Sequence, residues 1–134
     1  MSDANKQTVR AYVEAFNAHD MARMRRLFVE QPEIWGVLGH GGLDVVEPIW
    51  RELHESLEMK LEIVALAAEG EVVVARLRET GRFIGQFRGL PGRPPTGRSY
   101  EIAAIEWFEF QSGRIARRFA ARDSGAITRQ VLAG

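Results

Sequence analysis

Cysteine is missing from the chain. That excludes disulfides, thiolate nucleophiles and cysteine-ligated zinc. Net charge is missing too: 18 basic residues balance 18 acidic ones, so no general field draws the chain to nucleic acid or to an anionic membrane. No apolar run approaches the length of a membrane span, and the polar N-terminal stretch lacks the apolar core and cleavage pattern of a secretory signal. The expectation is a cytoplasmic protein with no nucleic-acid or membrane partner. The three histidines, His19, His40 and His54, have no ligand spacing, so no metal site is expected. The Gly-rich stretches lack the strand–loop–helix context and the lysine of a phosphate loop.

What is present is an ordinary globular composition, 46% hydrophobic and 27% charged, in 134 residues. That length argues for a single domain over 1–134. Helical spacing comes first. Val9, Tyr12, Val13 and Phe16 mark a helix over Asp3 to Ala18. Asp20 can cap a second, Met21 to Val29, ended by Pro32. A short strand, Glu33 to Leu38, leads to a turn at Gly39-His40-Gly41-Gly42. A third helix, Asp44 to Leu57, carries the stripe Val45, Val46, Ile49, Trp50 and Leu53, with Pro48 tolerated in its first turn.

From Glu58 the period changes to two. Strands are predicted over Met59 to Ala67, Val72 to Phe87, Arg98 to Phe110 and Arg114 to Asp123, with a Gly/Pro-rich loop from Gly89 to Gly97 and a closing helix from Ser124 to Leu132. Helices followed by hairpin-linked strands read as α+β, with the helices covering one face of a curved antiparallel sheet.

The last strand ends in a carboxylate. Ile115, Phe119, Ala121 and Asp123 share one parity, so Asp123 is expected to point toward apolar surroundings, where a carboxyl is fitted for proton transfer. Taken by spacing alone, Asp123 reads better as the N-cap of the closing helix. Glu106 is the one carboxylate on the apolar parity Tyr100, Ile102, Ala104, Phe108, Phe110; it is either a second pocket carboxylate near Asp123 or the partner of an arginine on a neighbouring strand. His40, in its glycine turn at the mouth of the fold, is a candidate proton shuttle or only a turn residue. Arg118 and Arg122 fall on the opposite parity of the last strand. Arg76, Arg78, Arg82, Arg88, Arg93 and Arg98 read as a solvated flank.

Three stretches resemble the SnoaL-like polyketide cyclases of the nuclear-transport-factor-2-like superfamily. They are Tyr12-Val13-Glu14-Ala15-Phe16-Asn17-Ala18-His19-Asp20; Gly81 to Pro91 with Pro95-Thr96-Gly97-Arg98; and Gly113-Arg114-Ile115, Arg118-Phe119, Asp123 and Gln130-Val131-Leu132. The resemblance implies a cone: helices packed into a strongly bent sheet, around an apolar pocket for a polyketide-like ligand. It also implies a cofactor-free acid/base reaction, an aldol-type cyclisation or isomerisation, with the family's acid/base aspartate falling on Asp123. Tyr12 takes the position of an oxyanion-binding tyrosine in related isomerases, although a core tyrosine fits as well. Phe83 replaces the family's histidine, Glu58 replaces an aspartate, and Gly92-Arg93-Pro94 is inserted. Catalytic candidates are thus Asp123, Glu106, His40 and Tyr12. Phe16, Trp35, Trp50, Phe83, Trp107 and Phe119 are candidate pocket walls, though aromatics at such spacing are also ordinary core. The alternative is a non-catalytic binder or dimerising module on the same fold, and an open curved sheet suits a homodimer.

Overall fold

In the computed structural model, which describes residues 2–132, the elements run α1 (Ser2–Asn17), α2 (Met21–Arg26), β1 (Phe28–Gly36), β2 (Gly39–Gly41), α3 (Leu43–Leu57), β3 (Lys60–Glu69), β4 (Val72–Arg82), β5 (Ser99–Gln111), β6 (Arg114–Arg122) and α4 (Ser124–Leu132). The strands make one six-stranded sheet, ordered β2-β1-β6-β5-β4-β3. The pairings from β3 through β6 are antiparallel, as the change of period predicts. The sheet as a whole is mixed, because β1 runs parallel to β6.

The helices present their apolar stripes to one face of the sheet. Val9, Tyr12, Val13 and Phe16 of α1 and Val46, Ile49, Trp50 and Leu53 of α3 are buried against Val73, Ala75 and Leu77 of β4 and Ile102, Ala104 and Phe108 of β5. Asn17 ties α1 to the outer strand. Its amide donates to the Leu61 carbonyl at 2.8 Å and accepts from the Leu61 N–H at 2.9 Å, so one side chain serves as the missing β partner at the start of β3. Asp20 caps α2 through the Arg23 N–H at 3.0 Å. Glu58, left-handed at φ 47°, closes α3 by donating to the His54 carbonyl. His54 stacks on His19 and packs at a tilt against Phe16. Burial and the neighbouring His19 pull its pKa down to about 4, so it packs as a neutral ring.

Three boundaries differ from the sequence reading, each for a tertiary reason. The helix expected to reach Val29 ends at Arg26, because the Ile115 N–H takes the Leu27 carbonyl and Phe28 pairs with Ile115. β6 thereby draws Phe28 and Val29 into a strand, and Pro32 sits where the register between β1 and β6 breaks, a place that tolerates a missing N–H. The turn at residues 39–42 contains the short strand β2, paired back on β1. β4 stops at Arg82 rather than Phe87, because the N–H groups of Ile84 and Gly85 turn to the Ser56 carbonyl at the end of α3. Pro48 lies in the second turn of α3, not the first.

Gly81 makes that departure possible. A Cβ there would lie 2.4 Å from the Leu57 carbonyl oxygen and 2.6 Å from the Tyr100 ring. Both walls are fixed, one by the α3 backbone and one by a buried aromatic. Gly81→Ala is therefore expected to lower stability by about 1–3 kcal/mol through overpacking, read as a lower midpoint in urea with an unchanged slope. An unaltered midpoint would show that α3 and β4 are not in this close contact.

Candidate functional site

Among the described residues, the interior face of the sheet carries four charged side chains in otherwise largely apolar surroundings. Glu79 of β4 and Glu106 of β5 are 0% and 3% exposed. Arg118 is 4% exposed, and Arg122 is nearly as enclosed. They form two sets of the same kind. Tyr12 donates its hydroxyl to Glu106 Oε1 at 2.9 Å, and Arg118 Nε lies 3.8 Å from the same oxygen. Tyr100 donates to Glu79 Oε2 at 2.7 Å, while Arg122 Nη2 bonds Glu79 Oε1 and lies 3.4 Å from Met59 Sδ. Each carboxylate thus has a tyrosine and an arginine, which is what a charge in an apolar interior requires.

Burial dominates the electrostatics. It pushes the Glu79 carboxyl above its usual range, against the opposing pull of Arg122 and the Tyr100 hydrogen bond. It likewise drives both tyrosine hydroxyls far above ordinary phenols, so both stay protonated donors. Arg118 remains a cation: Tyr12 and Glu106 favour its charged form against the opposing burial. Its guanidinium also faces the Trp50 ring at 5.9 Å and the Trp35 carbonyl at 3.4 Å.

A chamber of about 200 Å³ opens beside the second set. Its walls are mainly apolar, from Val37, Leu38, Leu53, Leu57, Phe87, Leu90 and Ile127, with Glu79, Arg122, Ser124 and Thr128 as polar members. A recess of about 30 Å³ adjoins it and shares Val37, Leu38, Leu53 and Arg122, with Trp50, Ala120 and Arg118 as further walls. The strap between β4 and β5 supplies Phe87 and Leu90. Glu52 of α3 holds the strap by accepting from the Arg88 N–H at 2.7 Å and from its guanidinium at 3.0 Å and 3.1 Å. Thr96 fastens its far end to the Val131 carbonyl of α4 at 2.7 Å. Among the described residues, no three His, Asp or Glu side chains converge as metal ligands.

Glu106 and Tyr12 meet in the interior, and Glu106 takes an arginine from the neighbouring strand. Trp50 lines the recess. Phe16 and Phe83 are buried in the core but do not line the chamber or the recess.

The other candidates stand elsewhere. Asp123 is exposed and accepts from the Ala126 N–H at 3.0 Å, as a cap of α4. Phe119, Trp107 and Trp35 lie on the outer face, 37%, 42% and 42% exposed, and His40 stacks on Trp35 there, away from the interior. For β6 the cause is a β-bulge. Phe110 faces Ile115 and Glu109 faces Arg117, leaving Ala116 as an extra residue. Beyond it the parity inverts. Phe119, Ala121 and Asp123 turn outward, and Arg118 and Arg122, expected outside, turn in. Trp35 and Trp107 are outward by simple alternation with the buried Ile34 and Glu106.

Glu79, Tyr100 and Arg122 were not singled out by the sequence. For Glu79 a signal existed: it stands on the apolar parity Val73, Ala75, Leu77, as Glu106 does on its own strand. For the two arginines there was none, since nothing in Arg114 to Arg122 announces the bulge.

The class this architecture defines is a helix-lined cone with a polar-floored apolar chamber, and comparison places it further. Residues 9–118 match the family described as SnoaL-like domain, so the chain belongs to that family. The fold is similar to that of TsrD from Streptomyces laurentii, with 21% identity over 100% of this chain and 98% of that one and a TM-score of 0.85. It is similar to IdmH, "a putative polyketide cyclase" from Streptomyces antibioticus, with 21% identity, 96% and 99% coverage and a TM-score of 0.84. A "putative polyketide cyclase" from Xanthomonas campestris matches with 22% identity, 96% and 97% coverage and a TM-score of 0.86. No curated protein matches by sequence.

The cap geometry of Asp123 has a direct test. Asp123→Ala should cost about 0.5–2 kcal/mol, whereas Asp123→Asn, which also caps, should cost at most a few tenths. Thermal unfolding of the two variants reads the difference; equal losses would show that the Ala126 bond contributes nothing.

Proposed function

We propose that the protein is a SnoaL-like enzyme acting without a cofactor on an apolar, polyketide-like carbonyl compound bound in the interior chamber, by proton transfer at carbon. The observation that carries this reading is Glu79: a fully buried carboxylate in the wall of a mostly apolar chamber, beside the guanidinium of Arg122. The SnoaL-like family and its fold support a small-molecule ligand. In the proposed step, Glu79 takes a proton from the carbon next to the ligand's carbonyl. The C–H bond breaks, an O–H bond forms on Glu79, and the electron pair moves to the carbonyl oxygen, where Arg122 stabilises it as an enolate. Return of the proton to a different carbon of a conjugated enolate gives isomerisation; attack of the enolate carbon on a second carbonyl carbon of the same molecule forms the ring bond, and the Glu79 proton passes to the new alkoxide oxygen. Tyr100 and Arg122 each use one oxygen of Glu79, and each oxygen keeps a second lone pair for the proton. Tyr12, Glu106 and Arg118 back this site as a positioning set. Asp123 has no part in the step.

The test uses 2-tetralone as an apolar ketone in heavy water. The protein should accelerate deuterium uptake at the carbons beside the carbonyl, followed by proton NMR, and Glu79→Gln should reduce that acceleration by about 10²–10⁴-fold. The base works when ionised. Because burial raises its pKa, the rate should climb with pH through a midpoint above the ordinary glutamate value of about 4.3. No acceleration, or equal acceleration by Glu79→Gln, would remove the catalytic reading and leave a binder.

A separate observation supports self-association. Trp35, Phe119 and Trp107 are consecutive partners across β1, β6 and β5 and form an exposed row on the outer face. Ion pairs of Arg117 with Glu33 and Glu109 border it on one side, and the exposed Ile105 extends it on the other toward the ion pairs of Arg78 with Glu62 and Glu101. An apolar centre with a polar rim suits a second copy of the chain. Trp107→Glu is expected to convert a sedimenting homodimer to monomer while the far-ultraviolet spectrum is kept; a wild-type protein already monomeric at 100 μM would refute it.

A further inference from the structure

We propose that the recess between Arg118 and Arg122 is a carboxylate-binding subsite, so that the ligand is an amphipathic organic acid bound head-first. The inference rests on the interior being a small-molecule site and specifies what that site takes.

Arg118 Nε and Arg122 Nε are both buried, and neither has a hydrogen-bond partner among the described residues. Such atoms are rare in folded proteins, because a buried donor without an acceptor forfeits its hydration with no return. Here two occur on one strand face, on either side of Ala120, and all three residues line the same recess. Its volume of about 30 Å³ has room for one or two water molecules or for the head of a carboxylate. Acceptors for these donors are scarce nearby. Glu106 Oε1 accepts from Tyr12 and lies 3.8 Å from Arg118 Nε, beyond hydrogen-bond reach, and Glu79 is engaged through Arg122 Nη2. Backbone from Gly36 to Gly39 and the rings and methyls of Trp50, Val46, Ile49 and Leu53 complete the lining.

The adjoining chamber supplies the other half of the match. Apart from Glu79, Arg122 and the two hydroxyl residues Ser124 and Thr128 at α4, it is walled by apolar side chains, Val37, Leu38, Leu53, Phe87, Leu90 and Ile127 among them. A ligand filling both spaces has an anionic end of a few atoms and an apolar body. Two cations against two carboxylates leave the empty interior neutral, and the burial that disfavours ionised Glu79 also disfavours it as the counter-ion of Arg122. An incoming carboxylate competes for that role. It brings the bidentate geometry that guanidinium groups accept. The carbonyl compound of the preceding reading is then a keto acid.

The probes are 2-naphthoate, its methyl ester and its primary amide, titrated calorimetrically into the full chain. Naphthoate should bind at least ten-fold more tightly than either neutral analogue. Glu79→Gln removes the competing anion without emptying the space, so it should tighten naphthoate binding and leave ester and amide unchanged. Arg122→Gln leaves Glu79 unpaired and threatens folding, so the double variant Glu79→Gln/Arg122→Gln, which is neutral at that pair, is the control; it should lose much of the preference for naphthoate, with Arg118 as the one donor left. Equal affinities in the wild type, no naphthoate binding, or weaker naphthoate binding by Glu79→Gln would each overturn the subsite. The catalytic reading fails separately: there Glu79→Gln loses exchange, whereas here the same variant gains affinity.

Discussion

The interior of this protein depends on compensated charge. Four ionisable side chains stand on the face that the helices cover, and none could remain there alone. Removing one member of a buried pair typically costs about 3–5 kcal/mol, because the charge left behind has neither water nor partner. Pairing solves that problem twice in the same way, with a tyrosine hydroxyl on one oxygen of each glutamate or beside its arginine, and the guanidinium supplied by β6. The two sets differ in their surroundings. Tyr12, Glu106 and Arg118 sit among Phe28, Trp50 and Phe108, with only the small recess beside them. Glu79 and Arg122 face the chamber. One arrangement is therefore enclosed by aromatic rings, and the other lies in the wall of the chamber.

A single extra residue decides which strand face carries those arginines. Before the bulge at Ala116, Ile115 packs inward with Phe110 and Phe28. After it, the same alternation delivers Arg118, Ala120 and Arg122 to the inside, and Phe119 and Ala121 to solvent. The inversion puts two arginines on the inner face of β6 and leaves Phe119 on the outer one beside Arg117, contrary to the usual division. Both consequences shape a surface: the inner face becomes part of the polar floor of the chamber, and the outer face contributes Phe119 to the aromatic row between Trp35 and Trp107.

The strap between β4 and β5 brings an apolar wall to that floor. It leaves the sheet because Gly81 lets the end of α3 approach, and it is held by Glu52, Ser56 and Thr96 at points spread along its length. Phe87 and Leu90 are then placed opposite Arg122 and Glu79. The same Gly81 leaves space for the Tyr100 ring, whose hydroxyl reaches Glu79 two residues along the neighbouring strand. Fold and site are in this way joined at one glycine.

The sequence by itself determined the local events. The helical stripes of α1 and α3, the change of period at Glu58, the turn residues and the caps at Asp20 and Asp123 are short-range physics, written in neighbouring side chains. Glu106 was legible for the same reason, as one carboxylate on an apolar parity, and Glu79 carried an equal signal. What only the tertiary structure decided were the features that depend on a partner strand. The parallel pairing of β1 with β6 turned Phe28 and Val29 from helix to strand. The bulge turned Phe119 and Asp123 outward and the two arginines inward. A bulge is a mismatch between two strands, and neither strand states it alone. The arginines that define the chamber were therefore unreadable until β5, β6 and β1 were aligned.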